Sequence, residues 1–210
     1  MCLGEVATSI SWAAGEWCPI GGELLWEQVC RGEFVIAGIP GPAGYRHAMI
    51  RKRTPSTPLS DAERAALDRL VRGQRLEQAF DLRVSVGTSA SLAARAVRKS
   101  GVSSPIGLLR AWSILTSPSC EALPLLSDAL VVRSNAVPLL GEEELDDREL
   151  EVLRLVLAER SSADISMLCG VSPRGVARQL ASIFKKLQVA DRYELAHLAF
   201  VGRHPTQHIL

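Results

Sequence analysis

Long apolar runs and paired cysteines are missing from this sequence. No stretch approaches the about 20 apolar residues of a membrane-spanning helix, so we expect no membrane partner. The N-terminus lacks a basic segment followed by an apolar stretch, and no secretory signal is predicted. The five cysteines form no CxxC pair, which argues against a zinc site or a disulfide framework: Cys2, Cys18, Cys30, Cys120 and Cys169. These absences favour a cytoplasmic protein with reduced thiols.

No arrangement of residues typical of catalysis is present. The histidines are mostly far apart in sequence, and His197 is expected on the surface: His47, His197, His204 and His208. The acidic run 142–144 indicates a solvated linker, and the turn at 38–44 lacks the glycine pattern of a phosphate-binding loop. The tryptophans are expected to fill a core. We therefore expect no enzymatic activity, no metal and no cofactor.

The charge of the chain is arranged in blocks. The net charge is +1, and 47% of the residues are hydrophobic, as in ordinary globular proteins. Residues 1–44 and 113–144 are acidic, whereas 45–58 and 59–112 are basic. A local basic surface is therefore compatible with a nearly neutral chain.

Four short helices are predicted between Leu145 and Leu195. Capping residues mark their starts: Asp146 or Asp147, Ser161 or Ser162, Ser172, and Asp191. Gly170 supplies the turn before the third helix, because glycine tolerates positive φ, and Pro173 begins that helix without losing a hydrogen bond. The residues expected to face the core are Leu150, Val152, Leu153, Val156, Leu157, Ile165, Leu168, Val176, Leu180, Ile183, Phe184, Leu187, Leu195, Leu198 and Ala199.

The segment from Leu145 to Leu195 reads LDDRELEVLRLVLAERSSADISMLCGVSPRGVARQLASIFKKLQVADRYEL. It resembles the LuxR-type helix-turn-helix domain of bacterial transcription regulators nearly end to end. The resemblance implies that the third helix, residues 172–187, enters the major groove of promoter DNA. Three positions depart from the family pattern. Gly175 replaces a usual Thr or Ser, which removes an expected backbone contact or cap. Gln188 replaces a usual Gly, and Ala177 replaces a commoner basic residue.

Small residues in the first half of the third helix would let its backbone approach the groove. Arg178 is the candidate for a bidentate contact with guanine, and Ala177 and Ala181 for contacts with thymine methyl groups. Basic residues on a helix face are most often only solvated, but the agreeing turn, caps and composition favour DNA contact. The predicted DNA-binding residues are Ser172, Arg174, Ala177, Arg178, Ala181, Ser182, Lys185, Lys186 and Arg192.

The pattern occurs a second time, from Leu59 onward, if one residue is deleted in the region of the second helix. Leu59 and Glu63 then align with Leu145 and Glu149. Past the gap, the aligned pairs are Leu82 with Cys169, Val84 with Val171, Ser85 with Ser172, Lys99 with Lys186, Val102 with Val189, Ser104 with Asp191, and Leu108 with Leu195. This segment therefore resembles a degenerate LuxR-type domain.

Each helical block is preceded by a stretch that predicts a β-hairpin, at 33–53 and at 121–135, and a helix is expected near Gly22–Arg31. The predicted fold is mainly α with small β-hairpins, an α+β fold with two helix-turn-helix domains. The expected division is 1–58, an N-terminal helix and hairpin region; 59–112, the degenerate domain; 113–144, a linker with a hairpin; 145–201, the DNA-binding domain; and 202–210, a tail.

The first block carries a weaker version of the same surface. Small residues replace larger apolar ones at Ser89, Ala93, Ala96 and Ser100, so its core is thin unless another element fills it. It is either a second DNA-reading surface or a domain kept for packing, dimerisation or partner contact. The candidate second DNA-binding residues are Thr88, Ser91, Arg95, Arg98 and Lys99. The run 51–53 either extends a phosphate-binding face or keeps an edge strand soluble.

Double-stranded DNA is the expected partner, in a transcription regulator near the nucleoid, with RNA polymerase as a further candidate. The chain is expected as a homodimer or as an intramolecular pseudo-dimer. In the pseudo-dimer, the fourth helices pair through Ile106, Leu109 and Trp112 against Leu195, Leu198 and Ala199. Two alternatives are a protein-interaction regulator whose helices no longer bind DNA, and a sigma-factor-like protein. The 5% aromatic content counts against the second.

Overall fold

The structure is a computed structural model that describes residues 17–39, 45–53, 57–74, 85–126, 128–135, 139 and 141–202. The strands in this part are β1 (Cys18–Pro19), β2 (Phe34–Ile39), β3 (Tyr45–Lys52), β4 (Glu121–Leu126) and β5 (Ala129–Asn135). The helices are α1 (Gly22–Cys30), α2 (Asp61–Val71), α3 (Val86–Lys99), α4 (Pro105–Leu115), α5 (Asp147–Leu157), α6 (Ser162–Leu168), α7 (Pro173–Lys186) and α8 (Arg192–Val201). A 3-10 turn covers Glu142–Glu144, which is exposed as predicted.

Both predicted hairpins are present, and they join into one antiparallel sheet. The strand order is β1-β4-β5-β3-β2, with the second strands of the two hairpins as neighbours. Ala48 of β3 pairs with Val132 of β5, and both side chains are buried. The joining was not predicted, because the sequence of a hairpin does not name its partner across the sheet. The short strand β1, also unpredicted, adds to β4.

The first core lies between the sheet, α1 and the helices α2 to α4. The small residues Ala93 and Ala96 of α3 are buried in this core, and β2 closely approaches the turn after the helix. The Ser100 carbonyl accepts the Ile36 N–H at 2.8 Å, and an added Cβ at Gly101 would lie 2.7 Å from the Ile36 carbonyl oxygen. The turn after α3 therefore packs directly against the backbone of β2.

The second core belongs to α5 to α8 and follows the predicted apolar stripe. Asp146, Ser161, Ser172 and Asp191 cap these helices, as predicted. The prediction for Leu168 is wrong, since 54% of its surface is exposed. The helix α6 has seven residues, and Ile165 takes its inward position, while Leu168 ends the helix beside solvent.

Each of the two helical blocks contains an equivalent ion pair with a buried glutamate. Ser60 and Glu63 form a capping box at the start of α2, and the Lys99 Nζ of α3 lies 2.7 Å from Glu63 Oε2. Asp146 and Glu149 form the equivalent box at α5, and the Lys186 Nζ of α7 lies 2.6 Å from Glu149 Oε2. Both glutamates are almost fully buried. Each carboxylate fixes one long helix against one first helix.

The helices α4 and α8 pack against each other, as expected, but through other residues of α8. Leu195 and Leu198 face the second core, and the residues that join the first core are Ala196 and Phe200. With both sides covered, His197 is only 3% exposed, which corrects its predicted surface position. The contact is extended by Arg46 of β3, which donates to the Phe200 carbonyl at 3.2 Å and to Ser113 Oγ at 2.7 Å.

Substitutions of two glycines with positive φ test how closely β2 approaches the turn after α3. Gly101 has φ 91°, with Ile36 backbone against it, whereas Gly170 has φ 64° and open space around it. We expect Gly170→Ala to lower the free energy of unfolding by only about 1–2 kcal/mol, the cost of the left-handed backbone alone. Gly101→Ala is expected to cost roughly 1–3 kcal/mol more, because β2 must move. Urea unfolding of both variants measures the difference, and equal losses would contradict the close approach.

The Glu149 carboxylate makes stability depend on pH. Burial by itself would raise its pKa, but hydrogen bonds from Lys186, Ser182 and the Asp146 backbone outweigh burial and hold the pKa below its usual value. A lowered folded pKa stabilises the protein above the unfolded pKa, and this contribution disappears as the pH falls. We expect Glu149→Gln to lower the free energy of unfolding by about 2 kcal/mol at pH 7.

The difference between Glu149→Gln and the parent protein is expected to shrink below about pH 4.3, where unfolded carboxylates become protonated. Urea unfolding followed by circular dichroism between pH 7 and pH 3 measures it. Glu151→Gln, on the exposed side of the same helix, is the control and is expected to change little. A loss from Glu149→Gln that stays constant across the range would disprove this role of the ionised carboxylate.

Candidate nucleic-acid interface

The helix α7 begins in the way the sequence predicts. Gly170 adopts φ 64° in the turn before it, and Pro173 is its first residue. The Ser172 Oγ accepts the Gly175 N–H at 3.2 Å. This is the serine cap that the sequence predicts, and Gly175 contributes only its backbone N–H to it. Gln188, which replaces a usual Gly after the helix, has φ 53°, the left-handed backbone that a glycine adopts without strain.

The inner face of α7 is fixed by apolar packing and by Glu149. Val176, Leu180 and Ile183 are buried in the second core. The Ser182 Oγ donates to Glu149 Oε1 at 2.6 Å, beside the ion pair with Lys186. Two of the predicted DNA-binding residues, Ser182 and Lys186, thus hold the helix in place within the protein.

The outer face of α7 is small and basic. Its exposed positions include five of the predicted residues: Arg174, Ala177, Arg178, Ala181 and Lys185. No Asp or Glu occurs between residues 165 and 190, so no acidic side chain of this stretch opposes an approaching phosphate. The alanines leave room for close approach of the backbone, and the arginines provide donors in the planar arrangement that suits guanine or phosphate.

Arg192, predicted to contact phosphate, is half-buried at the start of α8. Its guanidinium donates to Ser162 Oγ at 2.9 Å and to the Arg160 carbonyl at 3.4 Å. These bonds tie α8 to the beginning of α6. The sequence offered no signal of this contact, because it depends on where the fourth helix crosses the turn between the first two.

The second predicted set lies on α3. Thr88, Ser91, Arg95 and Arg98 are exposed, while Lys99 is engaged with Glu63, and Arg95 Nε lies 3.8 Å from the same carboxylate. The Ser91 Oγ donates to the Gly87 carbonyl at 2.9 Å, and Thr88 is part of the cap formed by Ser85. The surface of α3 thus shares with α7 its small residues and basic second half.

The basic run 51–53 does not have one of its two predicted roles. Arg51 and Lys52 belong to β3, which lies between β5 and β2 and is not an edge strand of the described sheet. The edge-strand interpretation is therefore wrong. Arg51 pairs with Asp128 at 3.1 Å across the sheet.

Two features of this region were missed by the sequence reasoning. The first is an exposed apolar pair at the end of α6, where Met167 is 74% exposed and Leu168 54%. The second is the depth of Glu149, which the capping-box pattern alone did not indicate. Buried Glu149 could have been found from its alignment with Glu63, because both face a lysine at the end of a long helix.

The described residues contain no group of three or more His, Cys, Asp or Glu side chains that could hold a metal ion. In the same part of the chain, no helix is long and apolar enough to cross a membrane. Burial raises the pKa of the Cys30 thiol to about 12 and that of Cys120 to about 11, which makes both poor nucleophiles.

Residues 143–199 match the family model described as bacterial regulatory proteins, luxR family. No match to the chain was found among curated proteins or among solved structures. The matched segment contains α5, α6, α7 and most of α8, and so includes the small, basic outer face of α7. Domains of this family belong to DNA-binding transcription regulators. Residues 143–199 therefore form a LuxR-family helix-turn-helix domain.

Proposed function

We propose that this protein is a sequence-specific transcription regulator that places α7 in the major groove of double-stranded DNA. The observation that carries the proposal is the outer face of α7, small and basic, within the LuxR-family segment. A helix of this kind brings its backbone close to base edges while its basic residues contact phosphates. The bacterial and cytoplasmic setting, near the nucleoid, belongs to the same proposal.

Within α7, the exposed residues have distinct proposed roles. Arg178 reads guanine through a bidentate contact, and Ala177 and Ala181 contact thymine methyl groups. Arg174 and Lys185 bind phosphates, which gives affinity without sequence choice. Ser172, Ser182, Lys186 and Arg192 act through protein contacts that orient α7 and α8.

Residues 59–112 form, in our proposal, a second and degenerate domain of the same type. Three equivalences support it: matching capping boxes at α2 and α5, matching ion pairs from Lys99 and Lys186, and matching serine caps on α3 and α7. The second helix of this domain would fall within residues 75–84, which lie outside the described residues. The five-part domain division predicted above remains a proposal on the same basis.

A protein partner is favoured by the apolar pair on α6. Met167 and Leu168 are exposed within the LuxR-family segment, where a solvated helix would carry polar residues. RNA polymerase is the partner that a transcription regulator would engage there. A protein-interaction regulator that no longer binds DNA is the competing function, and DNA binding decides between the two.

Arg178→Ala tests the proposed reading of guanine. We expect discrimination between the preferred site and unrelated duplex to fall by about 1–3 kcal/mol, the value of one bidentate base contact. Binding to unrelated duplex is expected to persist, because phosphate contacts remain. The measurement is fluorescence anisotropy with a duplex selected from a random pool and with a scrambled duplex, each over a series of salt concentrations.

Arg154→Ala is the matched control, since Arg154 is exposed on α5 and its loss removes the same charge. Its discrimination is expected to equal that of the parent protein. Equal effects of the two variants would contradict the assignment to Arg178. Negligible binding of the parent protein at low salt would favour the protein-interaction regulator, because phosphate contacts strengthen as salt falls.

A further inference from the structure

The contacts between the two helical blocks are reciprocal. At one end, the start of α4 meets the end of α5: the Ser104 hydroxyl donates to the Glu159 carboxylate, and an added Cβ at Gly107 would lie 2.7 Å from Glu159 Oε1. At the other end, the start of α8 meets the end of α2, where the Tyr193 hydroxyl donates to the Leu70 carbonyl. Between these ends, α4 packs along α8.

This reciprocity indicates an approximate two-fold relation. The helices α4 and α8 are the last described helices of their blocks, and α2 and α5 are the first. Each last helix therefore contacts the end of the other block's first helix. In a two-fold dimer of identical chains, one surface patch contacts its own copy in this way. Here both copies of the patch are on one chain.

The helices α3 and α7 are the equivalent long helices of the two blocks. Both helices have 14 residues, and their capping serines have φ −66° and ψ 156°. No Asp or Glu occurs between residues 82 and 120 or between 165 and 190. Exposed basic residues occupy equivalent positions near the ends of the helices, at Arg98 and Lys185. Each block thus presents an exposed long helix whose charge complements phosphate.

We propose, on the basis of the DNA binding argued above, that one chain covers two half-sites, with α7 in one major groove and α3 in the next. Two-fold related reading helices contact half-sites about 10 base pairs apart on one face of the duplex. The outer side of α8 is covered by α4, so this surface is not available for pairing with a second chain. A single chain is then the complete DNA-binding unit.

The proposed DNA site is not palindromic, because the two helices carry different residues. Ser91 of α3 stands where α7 has Arg178, and its hydroxyl is bonded to its own helix. Arg95 lies against the Glu63 carboxylate, so the half-site of α3 is held mainly by phosphate contacts such as that of Arg98. The half-site of α7 is recognised through its bases. The operator combines one strongly specified half with one weakly specified half.

The experiment uses the full chain and a duplex selected from a random pool with it. Native mass spectrometry gives the stoichiometry, and hydroxyl-radical footprinting gives the protected backbone. We expect one chain per duplex and two protected patches about 10 base pairs apart. Base substitutions are expected to weaken binding strongly in one half and weakly in the other.

Arg98→Ala and Lys185→Ala are equivalent changes on the two helices, with Arg154→Ala as the control. Each of the first two is expected to reduce the slope of log affinity against log salt by about 1, as expected for one phosphate contact, and the control by none. All these residues are exposed, so circular dichroism and thermal unfolding should match the parent protein.

Two chains on a palindromic duplex, with Arg98→Ala indistinguishable from Arg154→Ala, would overturn the single-chain proposal while leaving DNA binding by α7 intact. A single protected patch, lost through changes on α7 alone, would also overturn it. Failure of the chain to select or bind any duplex would overturn the proposed function itself. The two failures are therefore distinguishable.

Discussion

The two-sided burial of α8 is the constraint that organises the molecule. Every residue from Glu194 to Phe200 is buried, because one side of the helix completes the second core and the other side joins the first. A helix that is apolar all round needs partners on both sides. A helix-turn-helix block with such a fourth helix has an apolar side left over after its own core is complete. In this chain α4 supplies the missing partner, and the position of the second block follows from that contact.

Within each block, a buried carboxylate fixes the orientation of the exposed long helix. Glu149 caps the start of α5 together with Asp146, and it holds α7 through Ser182 and Lys186. An unpaired buried charge would destabilise the folded protein. Pairing with the carboxylate therefore fixes the position of the lysine and of the helix that carries it. Glu63 and Lys99 repeat the arrangement. The residues that face solvent on α7 are thus determined by the residues bound beneath it.

The sequence predicted the local features well, since caps, turns and apolar stripes depend on neighbours in the chain. The serine and aspartate caps, the turn at Gly170 and both hairpins are examples. The predictions failed where distant elements meet. The burial of His197 depends on α4, and the joining of the hairpins depends on β5 reaching β3. The outer face of α7 was predictable as exposed, whereas the contacts that engage Lys186 and Arg192 were not.

The joined sheet has a consequence for how the chain acquires its fold. The strand β3 is complete only when β5 lies beside it, and β5 is separated from β3 by the whole of α2 to α4. The first block therefore cannot finish its sheet during synthesis until residue 135 has emerged. Until then, β3 presents unpaired N–H and C=O groups of the kind that pair with other chains. The basic residues Arg46, Arg51 and Lys52 along β3 would discourage such pairing, so their charge has a role during folding that is separate from any contact with nucleic acid.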